Sequence, residues 1–180
     1  GLGDAESGQI LIQKNMDKKL YPASITKILT AAIALEVGDP RDQYEITTDD
    51  VFSYTFPGTT YVALTHDEVV TVEQLLYGSL MAAANDAANC LGSYVATKLG
   101  RTALNDEGEE SYVQGFVEIL NEKLEELGCT DTHFTNAHGL HNEDHYTTAA
   151  DMAKITQYAL SVDGFRDYFG AVSYTMQPTN

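Results

Sequence analysis

Ser24-Ile25-Thr26-Lys27 sets a hydroxyl and an amine three residues apart. On a helix that spacing puts both side chains on one face, one turn apart, where the amine can approach the hydroxyl. A lysine in the first helical turn faces the positive end of the macrodipole, and Ile25, Ile28 and Leu29 around it disfavour its charged form. An amine pushed toward neutrality can take a proton from Ser24, which makes the pair a nucleophile and its base. The four residues by themselves favour a plainer account, with Ser24 as an N-cap and Lys27 snorkelling to water, because so short a pattern recurs by chance. Asn85 followed by Asp86 likewise reads, in isolation, as a helix N-terminus.

Four of the five histidines, His133, His138, His141 and His145, lie close together with Glu143 and Asp144 nearby, a composition that could hold zinc. Their spacing follows no standard zinc signature and falls on no predictable helix face, so no metal is expected and the rings are read as loop-ordering groups. Cys90 and Cys129 are too few for a disulfide framework and read as inert core thiols, which leaves the redox compartment open.

The elements that must position these groups follow from periodicity and stop signals. Residues 8–13 read as a short strand. Residues 24–37 read as a helix apolar on almost every face, hence central and buried, stopped by Gly38-Asp39-Pro40. Residues 43–70, with Pro57-Gly58 and many β-branched residues, suggest irregular strands and loops. Thr71-Val72-Glu73-Gln74 and Ser111-Tyr112-Val113-Gln114 have capping-box spacing ahead of apolar runs, and each starts a helix. Further helices are expected over 85–99, ended by Gly100, and over 148–160, while 105–110 is an acidic loop. The tail 171–176 is β-prone. Strands first, helices in the middle and a strand-like tail indicate an α+β domain.

The 180 residues suffice for one domain with its own core, and no repeat or linker divides them. The longest apolar run, 28–35, is broken by Thr30 and falls far short of a bilayer span. Ten Lys+Arg against 27 Asp+Glu leave a formal net charge of −17, which excludes nucleic acid and anionic membranes as partners of this part of the chain. The opening Gly1-Leu2-Gly3-Asp4 has neither a basic nor an apolar leader region, so no secretory signal is expected in this sequence.

The stretch Leu20-Tyr21-Pro22-Ala23-Ser24-Ile25-Thr26-Lys27-Ile28-Leu29-Thr30-Ala31 closely resembles the nucleophile segment of D-alanyl-D-alanine carboxypeptidases, the low-molecular-weight penicillin-binding proteins. The resemblance continues in Asp4-Ala5-Glu6-Ser7-Gly8-Gln9-Ile10-Leu11, in Val72-Glu73-Gln74-Leu75-Leu76-Tyr77-Gly78 and in Ala84-Asn85-Asp86-Ala87-Ala88. It extends through 126–140 and His145-Tyr146-Thr147-Thr148-Ala149-Ala150-Asp151-Met152-Ala153, and so spans nearly the whole chain. It implies a transpeptidase-like α+β fold, an antiparallel sheet with a helical subdomain, with 1–180 as a single catalytic domain.

Three motifs mark this superfamily: Ser-x-x-Lys, Ser-x-Asn and Lys-Thr-Gly. Carried over, Ser24 is the nucleophile, Lys27 its base and Asn85 the amide that orients substrate and lysine. Two departures stand out. Ala83 occupies the place of the second motif's serine, and no Lys-Thr-Gly occurs up to Asn180. In the family that third motif lies on a late strand, where it supplies a cation for the substrate carboxylate and an oxyanion-hole N–H. Its absence is read as truncation, with the C-terminal strands and any membrane anchor outside this sequence.

The activity implied is serine-type D-Ala-D-Ala carboxypeptidase action on peptidoglycan stem peptides, outside the bacterial cytoplasm. Neither metal nor organic cofactor is implied, and β-lactams are expected as covalent inhibitors. The rivals are a serine β-lactamase, which residues 126–153 disfavour, and a catalytically weak relative that binds cell-wall peptides, which Ala83 keeps in view.

Overall fold

The computed structural model describes residues 1–51 and 59–179. Pro57-Gly58, expected to lie in a loop, falls outside the described residues. Among the described residues, three two-stranded antiparallel pairs frame a mainly helical body. β1 (Leu2–Gly3) pairs with β2 (Ile10–Ile12), β3 (Gln43–Glu45) with β4 (Val69–Thr71), and β5 (Ala103–Leu104) with β6 (Glu110–Ser111). The helices are α1 (Lys27–Val37), α2 (Thr48–Val51), α3 (Val72–Met81), α4 (Asn85–Leu99), α5 (Tyr112–Glu126), α6 (Ala149–Ser161) and α7 (Phe165–Phe169). Among the described residues no helix is long and apolar enough to cross a membrane.

Helix α1 runs through the centre and packs against α3, α4, α6 and α7. Its alanines let neighbours approach on every side, and Leu29, Ala31, Ala32, Ile33 and Ala34 lose essentially all solvent contact. The expected helix over 24–37 divides in two, because Ala23–Thr26 form a 3-10 turn and the α-helix starts at Lys27. Side chains three apart eclipse one another in 3-10 geometry, so the division brings Ser24 over Lys27 more directly than an α-helix would.

Helix α4 is buried from Asn85 to Ala96 and wedged between α1, α3 and α5. Small residues make this possible. At Gly92 a Cβ would stand 2.5 Å from Cδ1 of the fully buried Phe116, so the α4–α5 crossing needs a residue with no side chain.

Caps lie where local chemistry puts them. Thr71 and Gln74 form a reciprocal capping box at α3, Ser111 caps α5 through the Gln114 N–H, and Thr148 caps α6 through the Asp151 N–H. Gly100 ends α4 in the left-handed conformation. Cys90 and Cys129 are free and buried.

The tail departs from expectation. Residues 171–176 form no strand; they cross the start of α3, where Tyr174 stacks on Tyr77 at 3.9 Å and the Gln177 carbonyl accepts from Gln74 Nε2. Side-chain contacts of this kind hold a segment without the backbone ladder that defines a strand.

Candidate active site

Three segments far apart in sequence meet at the start of α1: the 3-10 turn, the first turn of α4, and the loop 136–140. Ser24 is exposed on the turn, whereas Lys27 directly below it retains 2% of its accessible surface. Lys27 Nζ lies 3.5 Å from Ser24 Oγ, 2.7 Å from Asn85 Oδ1 and 2.7 Å from the carbonyl oxygen of His138. Burial pushes the lysine down to about 8, with the nearby Asp86 carboxylate opposing part of that shift. The plain alternative, a lysine snorkelling to solvent, is therefore not what the fold adopts.

Asn85 is the first residue of α4 and is itself buried, so it opens a helix and faces Lys27 at once. The preceding Ala84 supplies no side-chain cap. Groups at this helix start bond instead with the neighbouring segment 60–64 and with the Asp86 side chain. The Asn85 N–H donates to the Thr60 carbonyl at 2.8 Å, while the buried Asp86 carboxylate accepts from the N–H groups of Val62 and Leu64 at 3.1 Å and of Ala87 at 2.9 Å. Asp86 thus ties the segment at 62–64 to α4 and places Asn85. Ala83, the position where the family motif has serine, is half-buried just before the helix at φ +53, an uncommon conformation for a residue other than glycine.

The loop 136–140 presents its backbone to α1. Asn136 Oδ1 accepts from the N–H groups of Gly139 at 2.6 Å and His138 at 3.3 Å, and its amide donates to the Leu140 carbonyl at 3.0 Å. This side-chain turn aims two successive carbonyls at the helix. Thr30 Oγ1 donates to the Ala137 oxygen at 2.7 Å, one turn beyond the Lys27 bond to His138. Gly139, at φ +88, packs so closely on the Ala23 carbonyl that a Cβ would overlap it. Sequence reasoning missed the His138 carbonyl, Thr30 and the tying role of Asp86. The one visible signal was Asn136 three residues before a glycine.

The four clustered histidines have separate tasks. His133 Nδ1 meets the Asp144 carbonyl at 2.7 Å, His141 lies edge-on to Tyr21 at 4.5 Å, and His145 stacks on Phe134 at 4.8 Å while its Nε2 reaches Thr26 Oγ1 at 2.9 Å. His138 is held down to about 3 by burial, by the Lys27 charge and by His145. Among the described residues no three His, Cys, Asp or Glu side chains converge as a metal site would require. A cavity of 690 Å³ between the β1–β2 hairpin and α6, lined in part by Ile10, Leu20, Pro22 and Ile25, includes none of Ser24, Lys27 and Asn85.

A family model described as D-alanyl-D-alanine carboxypeptidase matches residues 2–171. The chain is similar to D-alanyl-D-alanine carboxypeptidase DacF of Bacillus subtilis, 29% identical over 170 residues that make up 93% of this chain and 40% of that protein. It is also similar to DacA of Haemophilus influenzae, 30% identical over 158 residues, 86% of this chain and 37% of that protein. It therefore spans well under half the length of these two relatives. Among solved structures, an S96A mutant of the Streptomyces K15 DD-transpeptidase superimposes with a TM-score of 0.84 at 26% identity, covering 98% of this chain and 65% of that one. Penicillin-binding protein 6B from Escherichia coli gives 0.82 at 26% identity, over 99% of this chain and 55% of that one. The transpeptidase-like α+β fold expected from the sequence is the fold of these neighbours.

Proposed function

The chain belongs to the D-alanyl-D-alanine carboxypeptidase family, and on that premise we propose that 1–180 is a catalytic domain that works by serine acyl transfer outside the bacterial cytoplasm, on peptidoglycan stem peptides. The observation that carries this reading is the coordination of Lys27. Two of its neighbours, Asn85 Oδ1 and the His138 carbonyl at 2.7 Å each, can only accept from it. When the amine is neutral its two N–H bonds satisfy those acceptors, and the lone pair is left facing Ser24 Oγ. At pH 7 an amine with a pKa of about 8 is neutral in roughly a tenth of molecules, against roughly one in three thousand at the ordinary 10.5.

Ser24 Oγ attacks the carbonyl carbon of the penultimate D-Ala while its proton passes to Lys27 Nζ. The C–N bond then breaks, the Lys27 ammonium returns the proton to the departing D-Ala amine, and an ester to Ser24 remains. Water hydrolyses that ester, Lys27 accepting the water's proton and returning it to Ser24 Oγ as the peptide acid leaves. A β-lactam enters the same first step, but its opened ring keeps the leaving amine tethered. Asn85 holds the lysine and offers its amide N–H groups to the substrate.

Intact-mass analysis of the full-length protein after penicillin exposure tests the reading. One adduct per chain, lost in Ser24→Ala, is expected; no adduct, or an adduct that persists in Ser24→Ala, overturns it.

Ala83 favours a second reading, a slow relative that binds cell-wall peptides more than it turns them over. A serine hydroxyl there would stand beside the lysine amine and the leaving group, and positioned proton transfer is worth about a hundred- to ten-thousandfold. Ala83→Ser is expected to raise D-Ala release from a D-Ala-D-Ala peptide with the melting temperature unchanged. Equal rates at equal concentration would remove the support that Ala83 lends to a weakened enzyme.

A further inference from the structure

Ala23, the residue before Ser24, stands at φ +52, a left-handed conformation in which its Cβ crowds the following carbonyl. Its own carbonyl is held from two sides. Gly139 packs against it, and Thr26 Oγ1 donates to it at 2.9 Å. The Thr26 hydroxyl is fully buried and can send its single proton in only one direction, so whatever else touches that oxygen decides where the proton goes. The other contact is His145 Nε2 at 2.9 Å.

The tautomer of His145 follows from its far side. Nδ1 faces the backbone N–H of Thr135 at 3.0 Å, and a backbone N–H can only donate. Nδ1 therefore carries the lone pair and Nε2 carries the hydrogen. Thr26 Oγ1 accepts from Nε2–H, and its own proton is committed to the Ala23 carbonyl. Burial of the ring, with His133 and His141 nearby, holds its pKa down to about 4, so the neutral form that this arrangement needs persists at neutral pH. The stack on Phe134, with planes 6° apart, sets the ring's orientation.

We propose that His145 is a positioning residue for Ser24: the chain Thr135 N–H to His145 to Thr26 to the Ala23 carbonyl locks the strained turn that presents the nucleophile above Lys27. The proposal rests on the acyl-transfer reading. It assigns no contact between His145 and substrate. Its consequence is that breaking the chain displaces Ser24 without altering Lys27 or Asn85, and a misplacement of about 1 Å is worth up to about a hundredfold in rate.

The test compares the full-length protein with three single variants and the His145→Phe/Thr26→Val double variant. His145→Phe keeps the stack on Phe134 but can neither donate nor accept, His145→Gln restores one donor and one acceptor, and Thr26→Val removes the relay hydroxyl. Below the melting range of all five, stopped-flow measurement with a fluorescent penicillin separates the non-covalent dissociation constant from the first-order acylation of Ser24. His145→Phe and Thr26→Val should each slow the first-order step about ten- to a hundredfold at an unchanged dissociation constant. The double variant should be no slower than either single one, and His145→Gln should recover most of the rate. Acylation in His145→Phe at the wild-type rate overturns the proposal while leaving the acyl-transfer reading intact. A wild type that forms no adduct overturns that reading and, with it, the positioning role. Should His145→Phe fail to fold, Thr26→Val carries the same comparison. Long-range ¹H–¹⁵N spectra of the wild-type imidazoles read the tautomer independently of any chemistry, and an Nδ1–H form of His145 overturns the chain.

Discussion

The turn that carries Ser24 and the β1–β2 hairpin both belong to the first thirty or so residues, yet they are held in opposite ways. Around the turn, buried polar groups find partners 58, 111 and 119 positions away: Asn85 and His138 on Lys27, His145 on Thr26. The hairpin is held mostly by bonds within itself, such as the Asp4 N–H to Gln9 carbonyl at 2.9 Å, with one long distant bond from Gln157 Nε2 to the Glu6 carbonyl at 3.5 Å, and its apolar side chains Leu11 and Ile12 remain 57% and 66% exposed. Apolar character did not bury the hairpin, and polarity did not keep Lys27 in water. What separates the two is the number of distant segments that converge on each, since an unpaired amine buried as deeply as Lys27 would be prohibitively unstable.

The sharpest way to break this comparison is at Lys27. Lys27→Met should lower Ser24 acylation by about a hundred- to ten-thousandfold, the usual worth of a positioned base. The same variant reports on the cost of burying the amine. Unfolded, Lys27 keeps its proton up to its ordinary 10.5; folded, it loses it at about 8. Between those values unfolding takes up a proton, so stability rises with pH, by about 3 kcal/mol in all. Denaturant titrations at pH 7.5 and 10.5 should show that component in the wild type and not in Lys27→Met, and an identical pH response in both would mean that the amine is not desolvated.

A smaller effect is expected at Gly139, which has no charge to lose. An alanine there would have to adopt φ +88 and push its Cβ into the Ala23 carbonyl. A loss of about 2–4 kcal/mol follows from left-handed strain and overpacking together, with slowed acylation in the molecules that remain folded. Chemical denaturation checks the first part; a loss under about 0.5 kcal/mol would mean that the loop 136–140 is not clamped on the turn that carries Ser24. The smallest effect belongs to the hairpin. Ile12→Thr exchanges one exposed β-branched side chain for another and should change stability by no more than about 0.5 kcal/mol, with acylation unaffected. A large loss in the full-length protein would show that this face is covered there, and the contrast between the two regions would narrow.

Much of the helical framework was legible because its signals are local. Thr71 with Gln74, Ser111 with Gln114, Thr148 with Asp151, and the left-handed Gly100 each satisfy donors or acceptors within a few residues, so spacing alone locates them. The tail 171–176 misled because β propensity describes a residue's fit to a sheet and cannot say whether a partner strand lies beside it. At the site, the three-residue spacing of Ser24 and Lys27 was visible, whereas Asn85 was singled out through family resemblance, its own context reading as an ordinary helix start.

What the sequence by itself determined is the set of groups: a serine and a lysine one turn apart on an apolar helix, an asparagine opening another helix, and a glycine three residues after Asn136. What only the tertiary structure decided is the chemical state of those groups. A lysine is ordinary until Asn85, the His138 carbonyl and the surrounding core strip its water away, and a histidine's tautomer is open until the Thr135 N–H faces one nitrogen. Proton affinity depends on desolvation and on the orientation of distant dipoles, and no spacing along the chain encodes either.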